Sequence, residues 1–341
     1  MKKQIWVAVA LLMIAVAASR EGVLRGANVR AAAAPANDLT QFLPDGAGVA
    51  VIDVKRIINS PVWAALTAQP KIKADLDKIQ ADVLQVGVTL SDIDSIALSF
   101  SKANLDQSTV AVTGGFDQAT LLEKLRTNEK VKLSSEKYKD FEIDTAEKIP
   151  AKTGDPSKPD DKTSSKNTVS FTFFDSKTAV LGTRDAVRAA IDTKMGARPS
   201  IAQNTQLMGA LNENPDAAIR LALNVSSDVA GKLQTSDLPL PDFSSIRMIW
   251  ASIDVSSGID LIATLRNDSA EHAKAIAERL NGLLNMVRGY LGASGDPKYS
   301  GLADSLKSIN IVGNDVDVKI TGSISMDVLK TLLGSGQPKK P

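Results

Sequence analysis

The sequence contains no cysteine, only one histidine and few aromatic residues. Without cysteine there is no disulfide, thiolate metal ligand, cysteine nucleophile or lipid-modified cysteine. Aromatic residues make up 4% of the chain, so bases of a nucleic acid would find few stacking platforms. The formal net charge is +1 and no basic stripe stands out, so the electrostatic pattern of a nucleic-acid-binding protein is missing. We therefore expect no nucleic-acid partner.

What remains is the composition of an ordinary globular protein. Of the 341 residues, 43% are hydrophobic and 23% are charged. This is enough apolar material for a sizeable core, which must be mostly aliphatic because aromatic residues are scarce. The length fits two domains or one large domain.

The N-terminus predicts export. A positive start, Met1–Lys3, precedes the uninterrupted apolar run Ile5–Ala18, which ends in small residues. The run is shorter than the roughly 20 residues that a membrane span needs, and it is typical of a signal peptide. We predict a signal peptide over 1–18, a flexible tether over 19–38, and a periplasmic or secreted protein. The alternative is an uncleaved N-terminal helix that anchors the chain to the inner membrane and is its only membrane contact.

A long-period internal repeat organises the rest of the chain. Each repeat is predicted to contain a strand, helices, two strands, a helix, two strands and a final helix. The first repeat covers 39–198, with a proline-rich, polar insert at 150–167 that is predicted to be disordered. The second repeat covers 199–334, and a disordered tail at 335–341 follows.

Strand patterns indicate the fold class. Hydrophobic and polar residues alternate strictly in Val316–Ile324, which predicts one buried and one solvated face. Predicted helix starts include Ser60, followed by Pro61, and Asp117; the strongest predicted helix begins near Asp268. We therefore predict an α+β protein with two pseudo-repeated halves, each a mainly antiparallel sheet with helices packed on one face. The predicted strands are 49–54, 93–99, 109–116, 169–174, 178–182, 219–225, 246–255, 259–266, 309–312 and 316–324.

Three segments carry a resemblance to a known group of proteins: Phe42–Gly46, Val88–Asp94 and Ala179–Ile191. Over residues 40–212 the chain resembles a loosely defined family of exported bacterial proteins of unknown function, built from repeated strand-helix units. The resemblance implies the repeated α+β fold. It assigns no catalytic residue, because that family has none assigned.

The motifs for nucleophilic catalysis are incomplete. His272 is the only histidine and flanks the apolar stripe of a predicted helix, where a surface or boundary role is favoured. Ser134–Lys137 and Lys152–Gly154 match two elements of serine β-lactamases. They lie too close together in the sequence, the second falls in the polar insert, and no Ser-Asp-Asn occurs. We predict no catalytic residue from these motifs.

Acidic and glycine-rich segments do not form a metal or phosphate site either. Asp155, Asp160 and Asp161 lack the spacing of a calcium loop, and Gly114–Gly115 lacks the frame of a phosphate-binding loop. We predict no metal, no cofactor and no cofactor-binding residue. A glycosidase-like pair of carboxylates stays open, since sequence does not show distances in space. Other neighbouring carboxylates are Asp92 with Asp94 and Asp315 with Asp317.

Three functions remain, and a non-enzymatic role is favoured over an enzymatic one. The first is an exported binding or interaction module of the cell envelope, whose partner is an unidentified envelope protein or a small or apolar ligand. It would use the solvated face of two predicted strands. The second is a periplasmic carrier of an apolar ligand such as a lipid, and the third is a carboxylate-based hydrolase. The predicted face carries Asp260, Ile262, Thr264, Arg266, Asp317, Lys319, Thr321 and Ser323.

Overall fold

The computed structural model describes residues 36–70, 72–75, 88–101, 108–115, 117–149, 168–226, 243–293 and 305–334. The predicted signal peptide, the tether up to residue 35, the insert at 150–167 and the tail at 335–341 lie outside the described residues. Among the helices that the structure describes, none combines the length and apolar character of a membrane span.

The elements are mostly strands. The strands are β1 (Gly48–Asp53), β2 (Ile93–Phe100), β3 (Ser108–Gly114), β4 (Val131–Tyr138), β5 (Phe141–Lys148), β6 (Thr168–Phe173), β7 (Thr178–Gly182), β8 (Ile219–Asn224), β9 (Ile246–Asp254), β10 (Gly258–Asn267), β11 (Asn310–Asn314) and β12 (Asp317–Ser325). The α-helices are α1 (Val54–Ile58), α2 (Pro61–Thr67), α3 (Gln118–Thr127), α4 (Arg184–Lys194), α5 (Thr205–Leu211), α6 (Ala270–Ala293) and α7 (Met326–Gly334). Short 3-10 helices cover Ala36–Phe42, Leu90–Asp92 and Ile201–Gln203.

The described residues fall into two compact units. The first takes its residues from 1–46, 53–55 and 74–204, and the second from 47–52, 56–73 and 205–341. Strand β1 therefore belongs with the C-terminal elements, where it pairs antiparallel with β8.

The first unit holds its strands in the order β2–β3–β7–β6–β5–β4, with every described pairing antiparallel. Helix α4 packs its apolar side against this sheet: Val187 and Ile191 form a fully buried cluster with Ile143 of β5. Helix α4 starts because the Thr183 side chain accepts a hydrogen bond of 3.2 Å from the backbone N–H of Ala186.

The hairpin of β4 and β5 was not predicted from the sequence. Strand β4 carries Lys132 and Lys137 and lies at the end of the strand order, so its charged side chains reach solvent. Charge on an edge strand discourages pairing with another chain. Because these charged residues replace apolar ones, the alternation that predicts a strand is weak in β4.

The second unit has the strand order β11–β12–β10–β9–β8–β1, again with antiparallel pairings. The long helix α6 packs on the face that contains Val318, which is fully buried. A Cβ placed on Gly313, the cross-strand neighbour of Val318, would lie 3.4 Å from the Cβ of Ala277 in α6. The short helix α5 packs on the opposite face, where Gln206 contacts the sulfur of Met248 at 3.8 Å.

Side chains of helix α6 also form hydrogen bonds to carbonyl groups of the edge strand β11 and of the turn before it. Asn281 Nδ2 donates a hydrogen bond of 3.0 Å to the carbonyl oxygen of Ile311. Arg288 donates bonds of 2.9 Å to the carbonyl of Ile309 and 2.7 Å to that of Leu306. Of these carbonyl groups only that of Ile311 lies within β11, where its bond to Asn281 occupies an acceptor that an added strand would use.

The predicted fold class is confirmed: the chain is α+β and rests on extensive antiparallel pairing. Two predicted helix caps are also confirmed, because Ser60 accepts from the N–H of Trp63 and Asp117 from that of Thr120. The division into two pseudo-repeated halves stays a prediction.

Candidate binding surface

One face of the second unit carries the polar residues that the sequence singled out. We call it the polar face: the side of β10 and β12 that bears Asp260, Ile262, Thr264, Arg266, Asp317, Lys319, Thr321 and Ser323. The register sets these side chains opposite one another in cross-strand pairs, such as Thr264 with Lys319 and Ile262 with Thr321. Lys319, Asp260 and Ser323 are exposed, whereas Thr264 is buried. The face is therefore solvated mainly along β12 and at the turn end of β10.

Arg266 is the best-anchored side chain of the polar face. Its Nε and Nη2 atoms each donate a hydrogen bond of 2.9 Å to the carboxylate of Asp317. Its guanidinium carbon lies 5.1 Å from the ring centroid of Trp250, a cation–π contact. The bond to Asp317 raises the pKa of Arg266 further above its ordinary value. Arg266 is thus permanently charged, and its contacts fix the positions of Trp250 and Asp317.

The turn after α5 forms a wall beside this face. The indole Nε1 of Trp250 donates a hydrogen bond to the carboxylate of Glu213. Asn214 Nδ2 donates to the hydroxyl of Ser252, at 3.0 Å. Both bonds join the turn to β9, so the wall is held at two points.

A small cavity lies between the wall and the polar face. Its volume is about 140 Å³, and its lining includes Glu213, Trp250, Ile262 and Lys319. Within the part of the chain that the structure describes, the side chain of Lys319 forms neither a hydrogen bond nor an ion pair. The cavity has room for a few water molecules or one side chain, and it is smaller than the usual pocket for a small molecule, about 300–1,000 Å³. The arrangement suits the insertion of one group from a larger partner.

His272 is an exposed helix-end residue. It lies in the first turn of α6, and its Nδ1 is 2.6 Å from an oxygen of Asp268. This hydrogen bond raises the pKa of His272 and lowers the pKa of Asp268. The surface role predicted for His272 matches its position.

The pKa of His272 gives a testable pH dependence. The protonated ring binds Asp268 only in the folded chain, so its stabilising effect is complete below the unfolded-state pKa of about 6.5. The effect disappears as the pH rises through the higher folded-state pKa. We expect the Hε1 signal of His272, the only histidine, to titrate above pH 6.5 in proton NMR, and Asp268→Asn to return the midpoint toward that value. Glu271→Gln is the control and should move the midpoint less. Equal shifts in the two variants would contradict the conclusion that Asp268 is the main cause of the raised pKa of His272.

The other residues that the sequence singled out lie apart from the polar face where they are described. Ser134 and Lys137 are exposed on the edge strand β4, and Lys152–Gly154 lies outside the described residues. Asp92 accepts a hydrogen bond of 2.7 Å from the backbone N–H of Thr89, and Asp94 pairs with Lys55 at 2.5 Å. Over the described ranges, no group of three or more His, Cys, Asp or Glu side chains could hold a metal ion.

One carboxyl with an unusual environment was missed by sequence reasoning. Asp144 of β5 is 4% exposed, and burial raises its pKa, although the hydroxyl of Ser135 donates to it at 2.5 Å. The burial of Asp144 could not be inferred from the sequence, because β5 was not predicted as a strand. Asp144 lines none of the cavities of about 140, 440 and 660 Å³ in the described residues.

Two further concave regions lie in the first unit. One, of about 660 Å³, is lined entirely by residues of α3, so it is an open surface along one helix. The other, of about 440 Å³, is lined by Lys194 and Arg198 among others. Neither these two nor the cavity beside Trp250 has two carboxylates in its described lining, and a glycosidase mechanism needs two.

The described residues thus form an α+β protein in which one sheet face carries polar side chains beside a small cavity. No protein-family model and no curated protein matches the chain. Among solved structures, crystal form I of TP0453 has a TM-score of 0.41 at 12% identity, covering 90% of this chain and 99% of that chain. Crystal form IV of TP0453 has a TM-score of 0.44 at 10% identity, covering 87% of this chain and 95% of that chain. At this sequence identity and TM-score, the likeness supports no statement about the function of this chain.

Proposed function

We propose that the chain is an exported, non-enzymatic binding module of the cell envelope, periplasmic or secreted, that docks a partner polypeptide on the polar face. The observation that carries the proposal is Lys319, an exposed ammonium group beside a side-chain-sized cavity. Its surroundings are rigid, because Trp250, Arg266 and Asp317 hold one another in place. A rigid surface binds with little loss of conformational freedom.

The chemistry of the polar face describes the partner. An acidic side chain would pair with Lys319, and a neighbouring small side chain would enter the cavity above Ile262. Thr321 and Ser323 add hydroxyl groups that both donate and accept hydrogen bonds. The two alternative functions have less support, because the cavities bring together neither paired carboxylates nor an enclosed apolar space within the described residues.

Site-specific photo-cross-linking tests the proposal. The photoreactive residue p-benzoylphenylalanine is placed at Thr321 or, as a control, at exposed Lys330 of α7 in the full chain, which is produced in a bacterial host and irradiated in intact cells. We expect one discrete envelope-protein adduct from position 321 and none from position 330. The adduct should disappear with Lys319→Glu and persist with the charge-matched Lys330→Glu, at unchanged melting temperature. An adduct that is insensitive to Lys319→Glu, or no adduct, would overturn the proposal.

A further inference from the structure

The cavity of about 440 Å³ in the first unit is unlike the polar face in charge. The described residues that line it include two cations, a serine and two glutamines, and no carboxylate. Its walls are the end of the first 3-10 helix and the loop that follows α4. The full lining is Gln41, Phe42, Thr193, Lys194, Gly196, Ala197, Arg198, Pro199, Ser200 and Gln203.

Lys194 is held in place by aromatic rings. Its Nζ lies 4.9 Å from the ring centroid of Phe42 and 4.9 Å from that of Phe174. The two rings pack edge to face, 5.3 Å apart. Aromatic faces attract the ammonium group without neutralising its charge. Lys194 is therefore positioned and still able to bind an anion.

The charge of Arg198 also has no direct hydrogen-bonded or ion-paired partner among the described residues. Arg198 is exposed and forms no hydrogen bond or close ion pair with the residues that the structure describes. Its charge helps to lower the pKa of Asp192, but that carboxylate is already bound by Lys139 at 2.5 Å and by the hydroxyl of Tyr138 at 3.1 Å. The cavity therefore keeps the positive charge of both Lys194 and Arg198.

The end of helix α4 does not counteract this charge strongly. The N–H of Gly196 donates to the carbonyl of Thr193 at 3.0 Å, and the left-handed conformation of Gly196, with φ of 74°, turns the chain back toward the helix end. The next N–H, of Ala197, donates to the carbonyl of Asp192 at 2.8 Å. Amide hydrogens thus cap carbonyl groups that would otherwise repel an anion.

Hydrogen-bond donors surround the cations on a fixed loop. Ser200 is 8% exposed, and its hydroxyl has no partner among the described residues. The loop is anchored on both sides of it, because the N–H of Asp45 donates to the carbonyl of Pro199 and the N–H of Ile201 to that of Leu43. An acceptor atom in the cavity could bind this hydroxyl without rearrangement of the backbone.

We propose that this cavity binds a small organic oxyanion, a carboxylate or a phosphate ester. Its charged oxygens lie between Lys194 and Arg198, a further acceptor faces the hydroxyl of Ser200, and its carbon skeleton rests on Phe42. The cavity is widely open to solvent, and its volume of about 440 Å³ falls within the range of small-molecule pockets, roughly 300–1,000 Å³. This site is independent of the polar face, and it gives the chain a second ligand of a different class.

Isothermal titration calorimetry of the full chain with citrate and with glycerol 3-phosphate tests the site, with glycerol as the neutral control. We expect saturable binding of at least one anion and none of glycerol. Arg198→Glu should weaken binding by at least about ten-fold, because a like charge replaces a charge-assisted partner. Arg279→Glu makes the same charge change on the exposed surface of α6 and should leave the affinity unchanged. Ser200→Ala should weaken binding about three-fold or more.

A vesicle arm distinguishes a free anion from a lipid headgroup with the same chemistry. The full chain is sedimented with phosphatidylglycerol vesicles and with phosphatidylcholine vesicles. Free-anion binding that depends on Arg198, with no sedimentation that depends on it, supports the proposal. Sedimentation that depends on Arg198 without free-anion binding, equal losses in both arginine variants, or no saturable heat would each overturn it.

Discussion

Replacing Trp250 with alanine is expected to lower the free energy of unfolding by about 3–5 kcal/mol, the usual range for a buried aromatic residue. Trp250 is only 9% exposed, although it lies on the polar face. Three losses add together: the packing of the indole, its hydrogen bond to Glu213 and its contact with the guanidinium of Arg266. Urea unfolding followed by far-ultraviolet circular dichroism measures the change.

Trp250→Phe is the matched control. Phenylalanine keeps an aromatic face for Arg266 but has no N–H to donate to Glu213, so we expect a smaller loss of about 1–2 kcal/mol. The difference between the two variants separates packing from hydrogen bonding. A loss below about 1 kcal/mol for Trp250→Ala would contradict the burial of the ring.

Gly114→Ala is expected to destabilise the protein by about 2–3 kcal/mol, since a tightly packed backbone leaves no space for a methyl group. Gly114 ends β3, and a Cβ there would overlap the carbonyl oxygen of Asp92 and lie 3.1 Å from the Cα of Ile93. The strand cannot move away freely, because the N–H of Gly114 donates to the carbonyl of Lys177 at 2.9 Å. Thermal unfolding of the variant measures the effect.

The next residue provides a control with the same chemical change. A Cβ on Gly115 would meet no atom within 4 Å. Gly115→Ala should therefore change the free energy of unfolding by no more than about 0.5–1 kcal/mol, and the reduced freedom of the unfolded chain favours stabilisation. Equal effects at both positions would show that the close approach of Asp92 does not control stability at this turn.

Local patterns predicted the parts of the fold that depend on nearby residues. The alternation in Val316–Ile324 identified β12 and the side that carries Lys319, because side chains of a strand point to opposite faces in turn. The caps at Ser60 and Asp117 were predictable because the capping bond spans only three residues.

The parts that depend on distant contacts were not predictable. Strand β4 is rich in charge and becomes a strand through its pairing with β5. Asp144 is unusual only because that pairing buries it. Lys194 and Phe42 form one cavity although they are far apart in the sequence, and no local pattern relates them. In the polar face, the sequence predicted the side chains but not the wall formed by Glu213 and Asn214.

The bond from Asn281 to the carbonyl group of Ile311 makes the edge strand β11 less open to an added strand. Strand addition relies on main-chain hydrogen bonds, which are nearly the same for every sequence, and its selectivity comes only from alternate side chains. Strand addition at β11 would therefore compete with α6 for this carbonyl, whereas the docking that we propose on the polar face relies on side-chain chemistry. Such recognition can change through single substitutions on the polar face while the backbone stays constant. In the docking mode that we propose, the same fold would take on a different partner through a single residue change.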